Sequence, residues 1–323
     1  MTEIDIKAIE QIKEIINTNE RFLLVGHRSP DGDSICSQLA LADMLETLGK
    51  SSTVAGIDPS PERFKFLPGI DRMIVTDRVP DDFQVAFLLE CSDFNRTGII
   101  DLNRFYTVNI DHHLQNYLYA DCNWVNPKAC AVGEMIFDLT KAMDFSITKD
   151  IAVNLYTSII TDTGNFKFSN TTGRTFEICA ELVACGLSPG DIARELYENE
   201  PLEKFKLLAR ILRSIETDTT GEIAWFSLSK SEVAQGEKDG IDTDGFIDFT
   251  RSIRGVRVVI FLREVDDRLF KVSLRSKDDT NVAKLAQAFG GGGHYKASGC
   301  VIEGTQEEVL QKILDEIASL TKS

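Results

Sequence analysis

The stretch "RFLLVGHRSPDGDSICS", residues 21–37, opens as an apolar run, crosses a Gly-His turn and a proline, and continues as a helical pattern reaching about Leu48. An apolar run of this length followed by 3.6-residue periodicity reads as a buried strand feeding a helix. Further strand-like runs stand at "SSTVAGI" (51–57), "RMIVT" (72–76), "VAFLLE" (85–90) and "YTVNID" (106–111). This alternation predicts an α/β domain, a parallel sheet with helices on both faces. Helical periodicity then dominates from Gly133 to about Glu216, with breaks near "DTGNF", "GLSPGD" and "NEP". From about Glu222 the chain reads as strand, helix, two strands and two helices, a smaller α+β domain. The organisation expected is a first domain over 1–190, a helical linker over 191–216 and a second domain over 217–323.

Composition is that of a water-soluble globular protein of two domains: 323 residues, 43% of them hydrophobic. No apolar run approaches the roughly 20 residues needed to span a bilayer, and the amino terminus is amphipathic rather than a leader, so a cytoplasmic location and no membrane partner are expected. The seven cysteines include no CxxC pair, which argues against a disulfide framework and a thiolate metal site. The net charge of −16 argues against long duplex nucleic acid as a ligand. Any phosphate must be met by bound cations or by local arginines.

Several predicted strands end on a residue able to ligate a metal: His27, Glu90 in "FLLECSD", and Asp111, His112 and His113 in "NIDHH". In open parallel sheets ligands bind beyond the carboxyl ends of strands, so these endings converge on one crevice. Asp162 stands where an apolar helical pattern ends at "TDTG". With Asp31 and Asp33 the set becomes His27, Asp31, Asp33, Glu90, His112 and Asp162, oxygen and nitrogen ligands suited to Mn²⁺ or Mg²⁺ and numerous enough for two ions. Each member also has an ordinary reading. Asp33 or Ser34 could simply cap the helix that follows, Glu90 could end a solvated strand, and Asp162 could be a turn acid. The census favours the metal: the chain has only four histidines, and three lie beside these acids.

"HRSPDGDS", "LLECSD", "IDHH" and "TDTG" resemble, in order and spacing, the four motifs of the DHH phosphoesterase superfamily, and "FGGGGHYKASG" resembles the signature of the DHH-associated carboxy-terminal domain. In length and in the tight junction of its two units the chain is similar to oligoribonucleases of the NrnA type, which also dephosphorylate 3′-phosphoadenosine 5′-phosphate. Carried over by position, the resemblance implies that His27 and Asp31 hold one Mn²⁺, that Asp33, His112 and Asp162 hold another, and that Glu90 bridges them. It further implies that Asp111 orients a neighbouring histidine and that His113 faces the phosphate as donor or general acid. Glu90 departs from the usual bridging Asp, and Asp93 lies close enough in sequence to be a rival. In the second domain the resemblance marks Arg275, Ser276, Gly291, Gly292, Gly293 and His294 as substrate-binding. The alternation in "RLFKVSLRS" puts Lys271, Ser273 and Arg275 on one face, away from Phe270, Val272 and Leu274.

The expected activity is therefore Mn²⁺-dependent hydrolysis of short oligoribonucleotides, dinucleotides such as pGpG, and 3′-phosphoadenosine 5′-phosphate, by water activated between two metal ions. A cyclic dinucleotide phosphodiesterase and a non-catalytic nucleotide-binding regulator are the alternatives. A family II pyrophosphatase is disfavoured by the glycine motif. Expected partners are short RNA and mononucleotide phosphoesters, and a homodimer is compatible with the sequence.

Overall fold

The computed structural model describes residues 3–238, 241, 243 and 245–320, and the chain divides into two compact units, Met1–Asn199 and Glu200–Ser323. The first contains α1 (Glu3–Thr18), β1 (Arg21–Val25), α2 (Gly32–Thr47), β2 (Ser51–Gly56), β3 (Ile74–Val75), β4 (Val85–Leu89), β5 (Tyr106–Asp111), β6 (Cys122–Val125), α3 (Val132–Ala142), α4 (Lys149–Asp162), α5 (Gly173–Ala184) and α6 (Pro189–Tyr197). Its six strands are ordered β3-β2-β1-β4-β5-β6 and every pairing is parallel. The chain winds outward one way from β1 and the other way from β4, which leaves a crevice at the carboxyl ends of these two central strands.

Strand alternation sorts the apolar residues into two layers. Phe22, Leu24, Phe87, Leu89, Val108 and Ile110 pack with the helices in the larger core. Leu23, Val25, Ala86 and Leu88 face the other way, onto Val79, Ile99, Leu102 and Phe105. That second face is closed by single 3₁₀ turns, Phe94–Arg96 and Leu102–Arg104, instead of α-helices. The covering segment carries Pro80 and Gly98 and no sustained apolar periodicity, so it cannot hold a helix. Strand β6, unmarked in the sequence reading, is only four residues of "CNWV". It is tied to α1 by Trp124, whose indole N–H donates to the buried Asp5 carboxylate at 2.9 Å.

The second unit contains α7 (Leu202–Arg213), β7 (Glu216–Thr217), β8 (Ile223–Leu228), α8 (Lys230–Lys238), α9 (Phe246–Arg251), β9 (Val258–Asp266), β10 (Leu269–Ser276), α10 (Val282–Gln287), β11 (Gly292–His294), β12 (Ala297–Glu303) and α11 (Gln306–Leu320). The sheet order is β11-β12-β10-β9-β8-β7, with β8 and β9 parallel and the other pairs antiparallel. Phe270, Val272 and Leu274 pack with residues of α10 and α11 in one core. A second core joins Phe226 and Phe261 to Leu208 and Ile211 of α7, the helix read from sequence as a linker, and to Phe246 and Ile247 of α9.

Strands β11 and β12 correct the sequence reading, which placed only helices after its last pair of strands. The glycines serve strand packing: a Cβ on Gly291 would stand 2.2 Å from the Gly299 carbonyl oxygen, and one on Gly293, at φ +139°, 2.6 Å from that of Ala297. Among the described residues no helix is long and apolar enough to cross a membrane.

Candidate metal centre

The crevice collects the predicted residues by simple topology. His27 stands two residues beyond β1, Glu90 directly follows β4, Asp111 ends β5 and His112 and His113 come next, while Asp162 is the last residue of α4. The helix after β1 is capped by Asp31, whose carboxylate accepts the Ser34 N–H at 2.9 Å. Neither Asp33 nor Ser34 takes that place, so the capping alternative for Asp33 is replaced by a different structural task. Helix α3 begins at Ala131 without a side-chain cap of its own. Asp33 supplies one from α2: its carboxylate accepts the N–H groups of Val132 at 2.6 Å and Gly133 at 3.1 Å, and the Ser158 hydroxyl at 2.5 Å. Buried at a helix amino terminus, Asp33 is held rigidly by these three bonds.

Potential ligand atoms gather within 4.8 Å of one another in three groups: His27, Asp31 and Glu90; Asp33, His112 and Asp162; and Glu90, His112 and His113. Glu90 belongs to two of them. Its Oε2 stands 3.4 Å from His112 Nε2 and its Oε1 3.6 Å from His113 Nδ1. To reach this position the Glu90 backbone adopts φ +61°, a left-handed conformation that costs a non-glycine residue on the order of 1 kcal/mol. Asp93 is not among the grouped residues; its carboxylate accepts the Asn95 N–H at 2.8 Å and caps the 3₁₀ turn.

The histidine tautomers follow from their partners. His27 Nδ1 lies 2.7 Å from the Arg28 carbonyl and His112 Nδ1 lies 3.1 Å from the Ala129 carbonyl. A carbonyl can only accept, so each Nδ1 carries a proton and each Nε2 is the nitrogen that faces the cluster and can ligate a cation once its own proton is lost, the arrangement metal-ligating histidines use. His27 Nε2 and Glu90 Oε2 are sealed from solvent with no hydrogen bond. Such atoms are costly in an interior unless a cation meets them, and the donor set of imidazole nitrogen and carboxylate oxygen fits a divalent ion such as Mn²⁺ or Mg²⁺.

Charge argues the same way. Burial pushes the Glu90 carboxyl well up, with Asp33 and Asp31 adding to the effect and His112 opposing it. Asp162 is pushed up to about 7 by burial, again against His112 and with help from Asp33 and Asp31. Burial works against protonating His112, yet Glu90, Asp162 and Asp33 outweigh it and raise its pKa well above the ordinary value. The cluster by itself is short of positive charge and retains protons to compensate.

Asp111 differs from these acids. Burial opposes its charge, but its bonds to His113 and Asn116 hold it down at about 2. It accepts His113 Nδ1–H at 2.7 Å, which fixes the ring and its tautomer. Asn116, which the sequence reading passed over, donates to Asp111 at 2.6 Å and to the buried Asn109 at 2.8 Å. Asn170, also unmarked, donates to Asp162 at 3.2 Å. Their only signal was asparagine placed just after a cluster of candidate ligands.

In the second unit Arg275 and Ser276 end β10. Arg275 is half-buried, beyond the exposed Lys271 on the same face. Ser276 is buried and its hydroxyl donates to the Thr280 carbonyl at 2.8 Å, so that group is already engaged. The backbone of His294 lies in β11, and its side chain is outside the described residues.

Known proteins resemble both units. The model of the DHH family, N-terminal domain, matches residues 21–159, and that of the DHHA1 domain matches 231–323. The chain is 30% identical to the bifunctional oligoribonuclease and PAP phosphatase NrnA of Thermus thermophilus, over 90% of this chain and 88% of that one. It is 29% identical to the protein of the same description from Bacillus subtilis, over 95% and 96%. Its fold matches the crystal structure of an exopolyphosphatase-related protein from Bacteroides fragilis with a TM-score of 0.89 and 28% identity, covering 98% of each chain.

Proposed function

The chain belongs to the DHH family, and from that premise we propose that it is a Mn²⁺-dependent phosphoesterase hydrolysing short oligoribonucleotides, pGpG-like dinucleotides and 3′-phosphoadenosine 5′-phosphate. The observation that carries the reading is the pair of ligand groups, His27 with Asp31 and Asp33 with His112 and Asp162, flanking the unbonded Glu90 carboxylate oxygen. His27, Asp31 and Glu90 would hold one divalent ion, and Asp33, His112 and Asp162 the other, with Glu90 reaching both. Bound there, two such ions supply Lewis acidity toward phosphoryl oxygens and lower the pKa of water.

The remaining work belongs to the protein. Asp111 fixes the ring of His113, whose imidazolium form would donate through Nε2–H to a phosphate oxygen or protonate a leaving group. The α3 amides and Ser158 hold Asp33 in one orientation. In the second unit Arg275, His294 and the backbone at Ser276 and Gly291–293 bind a part of the substrate that does not react. Of Gly291, Gly292 and Gly293, Gly292 is the one whose Cβ position meets open space, so there the backbone can be approached closely.

The test is hydrolysis of labelled two- to seven-nucleotide RNAs, 3′-phosphoadenosine 5′-phosphate, and linear and cyclic dinucleotides, with Mn²⁺, Mg²⁺ or chelator. Turnover of the short RNAs and the bisphosphate with Mn²⁺, and none with chelator, is expected. Cleavage of cyclic dinucleotides alone would replace the substrate assignment, and binding without any turnover would make the chain a nucleotide-binding regulator.

A further inference from the structure

Two arginines at the mouth of the crevice have no role in the metal cluster. Arg28 directly follows His27 and is exposed, and Arg96 sits half-buried in the 3₁₀ turn after β4. They are joined through the backbone, the Arg28 N–H donating to the Arg96 carbonyl at 2.7 Å. The Arg28 carbonyl in turn receives the Nδ1–H of His27 at 2.7 Å, so the peptide that aims a candidate ligand also carries this guanidinium. The positive field of Arg96 reaches His27, where it opposes protonation.

The side chain of Arg28 has a seat. It lies across Gly98, whose φ of +69° suits glycine, and a Cβ there would come within 2.6 Å of Arg28 Nε. Arg21, Arg72, Arg104 and Arg174 of the same unit each meet a carboxylate. Arg28 and Arg96 meet none among the described residues, in a chain with 51 acidic and 35 basic side chains. The acids nearest in sequence are committed elsewhere, Asp31 and Asp33 to the starts of α2 and α3 and Asp93 to the cap of the 3₁₀ turn that carries Arg96. Two guanidinium groups left without counter-ions beside a phosphate-handling centre suit an anion of the ligand, and the guanidinium fork matches phosphate oxygens two at a time.

We propose that Arg28 and Arg96 clamp a second phosphate of the substrate, the one that is not hydrolysed, so that nucleotides carrying two phosphates are selected over those carrying one. This rests on the proposed phosphoesterase function. It gives the first unit a recognition device of its own, separate from the ligands of the metal ions.

The experiment is calorimetric binding to the Mn²⁺-loaded chain of non-hydrolysable adenosine analogues: the 3′,5′-bisphosphonate and the two monophosphonates. The wild-type chain is expected to bind the bisphosphonate at least tenfold more tightly than either monophosphonate. Arg28→Ala and Arg96→Ala should each reduce that preference to under threefold by weakening the bisphosphonate alone, with Mn²⁺ affinity unchanged. Arg28→Lys, which keeps charge but loses the fork, should fall between. Absence of a preference in the wild-type chain, equal weakening of all three analogues, or lowered Mn²⁺ affinity in the variants would overturn the clamp. Because the analogues are never hydrolysed, a failure of turnover in the substrate panel would strike the proposed function and leave this binding result to be read by itself.

Discussion

The two units use their sheets in opposite ways. In the first, chemistry gathers at the ends of parallel strands: His27, Glu90 and His112 follow β1, β4 and β5, and all are buried. In the second, the polar residues line the face of a mixed sheet, where Lys271 is exposed and Arg275 half-buried along one strand. Strand ends can enclose a cluster because loops and helix termini surround them. A sheet face remains flat and wet. The difference predicts that substitutions in the first unit destroy chemistry outright, whereas those in the second weaken binding by the modest amounts that solvated contacts contribute.

The largest effect belongs to Asp33 and His112. Replacing either by Ala should lower kcat/KM by on the order of a thousandfold or more, read by initial rates with saturating Mn²⁺. The two should differ in stability. Asp33→Ala leaves the Val132 amide without an acceptor and the Gly133 amide with only the Ser158 hydroxyl, and should cost about 1–3 kcal/mol, whereas Asp33→Asn keeps an acceptor and loses mainly the charge. Thermal unfolding separates the variants. Full activity in Asp33→Asn would break the assignment of this acid to a metal.

A step smaller is Glu90. If its charge serves both ligand groups, Glu90→Gln should lose roughly a hundredfold in rate with Mn²⁺ binding weakened, while Glu90→Asp keeps substantial activity. Aspartate also tolerates the left-handed backbone better than glutamate, so Glu90→Asp should unfold no more easily than the wild type. An inactive Asp93→Asn beside an active Glu90→Gln would reverse the roles of these two acids.

Metal affinity gives a third comparison, because Glu90, His112 and Asp162 of the cluster have raised pKa values, whereas the carboxylates of the second unit that shift, among the described residues, shift down. Asp162, at about 7, is protonated below that pH, and Glu90 and His112 are shifted upward too. An ion needs the carboxylate and the neutral imidazole, so binding must expel protons, and affinity should rise with pH. For Asp162 alone the slope is at most about tenfold per pH unit below 7, levelling above it. Calorimetry in buffers of different ionisation enthalpy should show proton release near pH 6.5; none would mean that the cations enter elsewhere.

How much of this was legible in the sequence follows from the same contrast. The strand ends could be read because an apolar run that stops at His27, Glu90 or Asp111 is a local signal, and the strand-helix alternation placed these ends together. What escaped were partners supplied across the fold. Ala131 gives no hint that α3 borrows its cap from Asp33 about a hundred residues earlier. Asn116 carries no sign that it restrains Asp111. Strands β11 and β12 were missed because their glycine-rich pattern imitates a loop, and the reason for those glycines, the close approach of the neighbouring strand, is a tertiary fact.

The smallest effect tests the flat face itself. Arg275 stands at the end of β10 on the side of the sheet opposite Phe270, Val272 and Leu274, which are buried in the core. If it holds a substrate phosphate or base that does not react, its loss removes one charge-assisted contact at a half-solvated site, about 1.5 kcal/mol, or roughly tenfold in affinity. Arg275→Ala should therefore raise KM for dinucleotides by about that factor and leave kcat near the wild-type value. A small artificial phosphodiester has no second nucleotide to be held and should be cleaved by the variant at an unchanged rate. Mn²⁺ affinity should also stay within error, because no ligand group includes this residue. If kcat falls for both substrates together, Arg275 shapes the reaction itself, and the contrast between a chemical crevice and a binding face fails at the residue chosen to represent it.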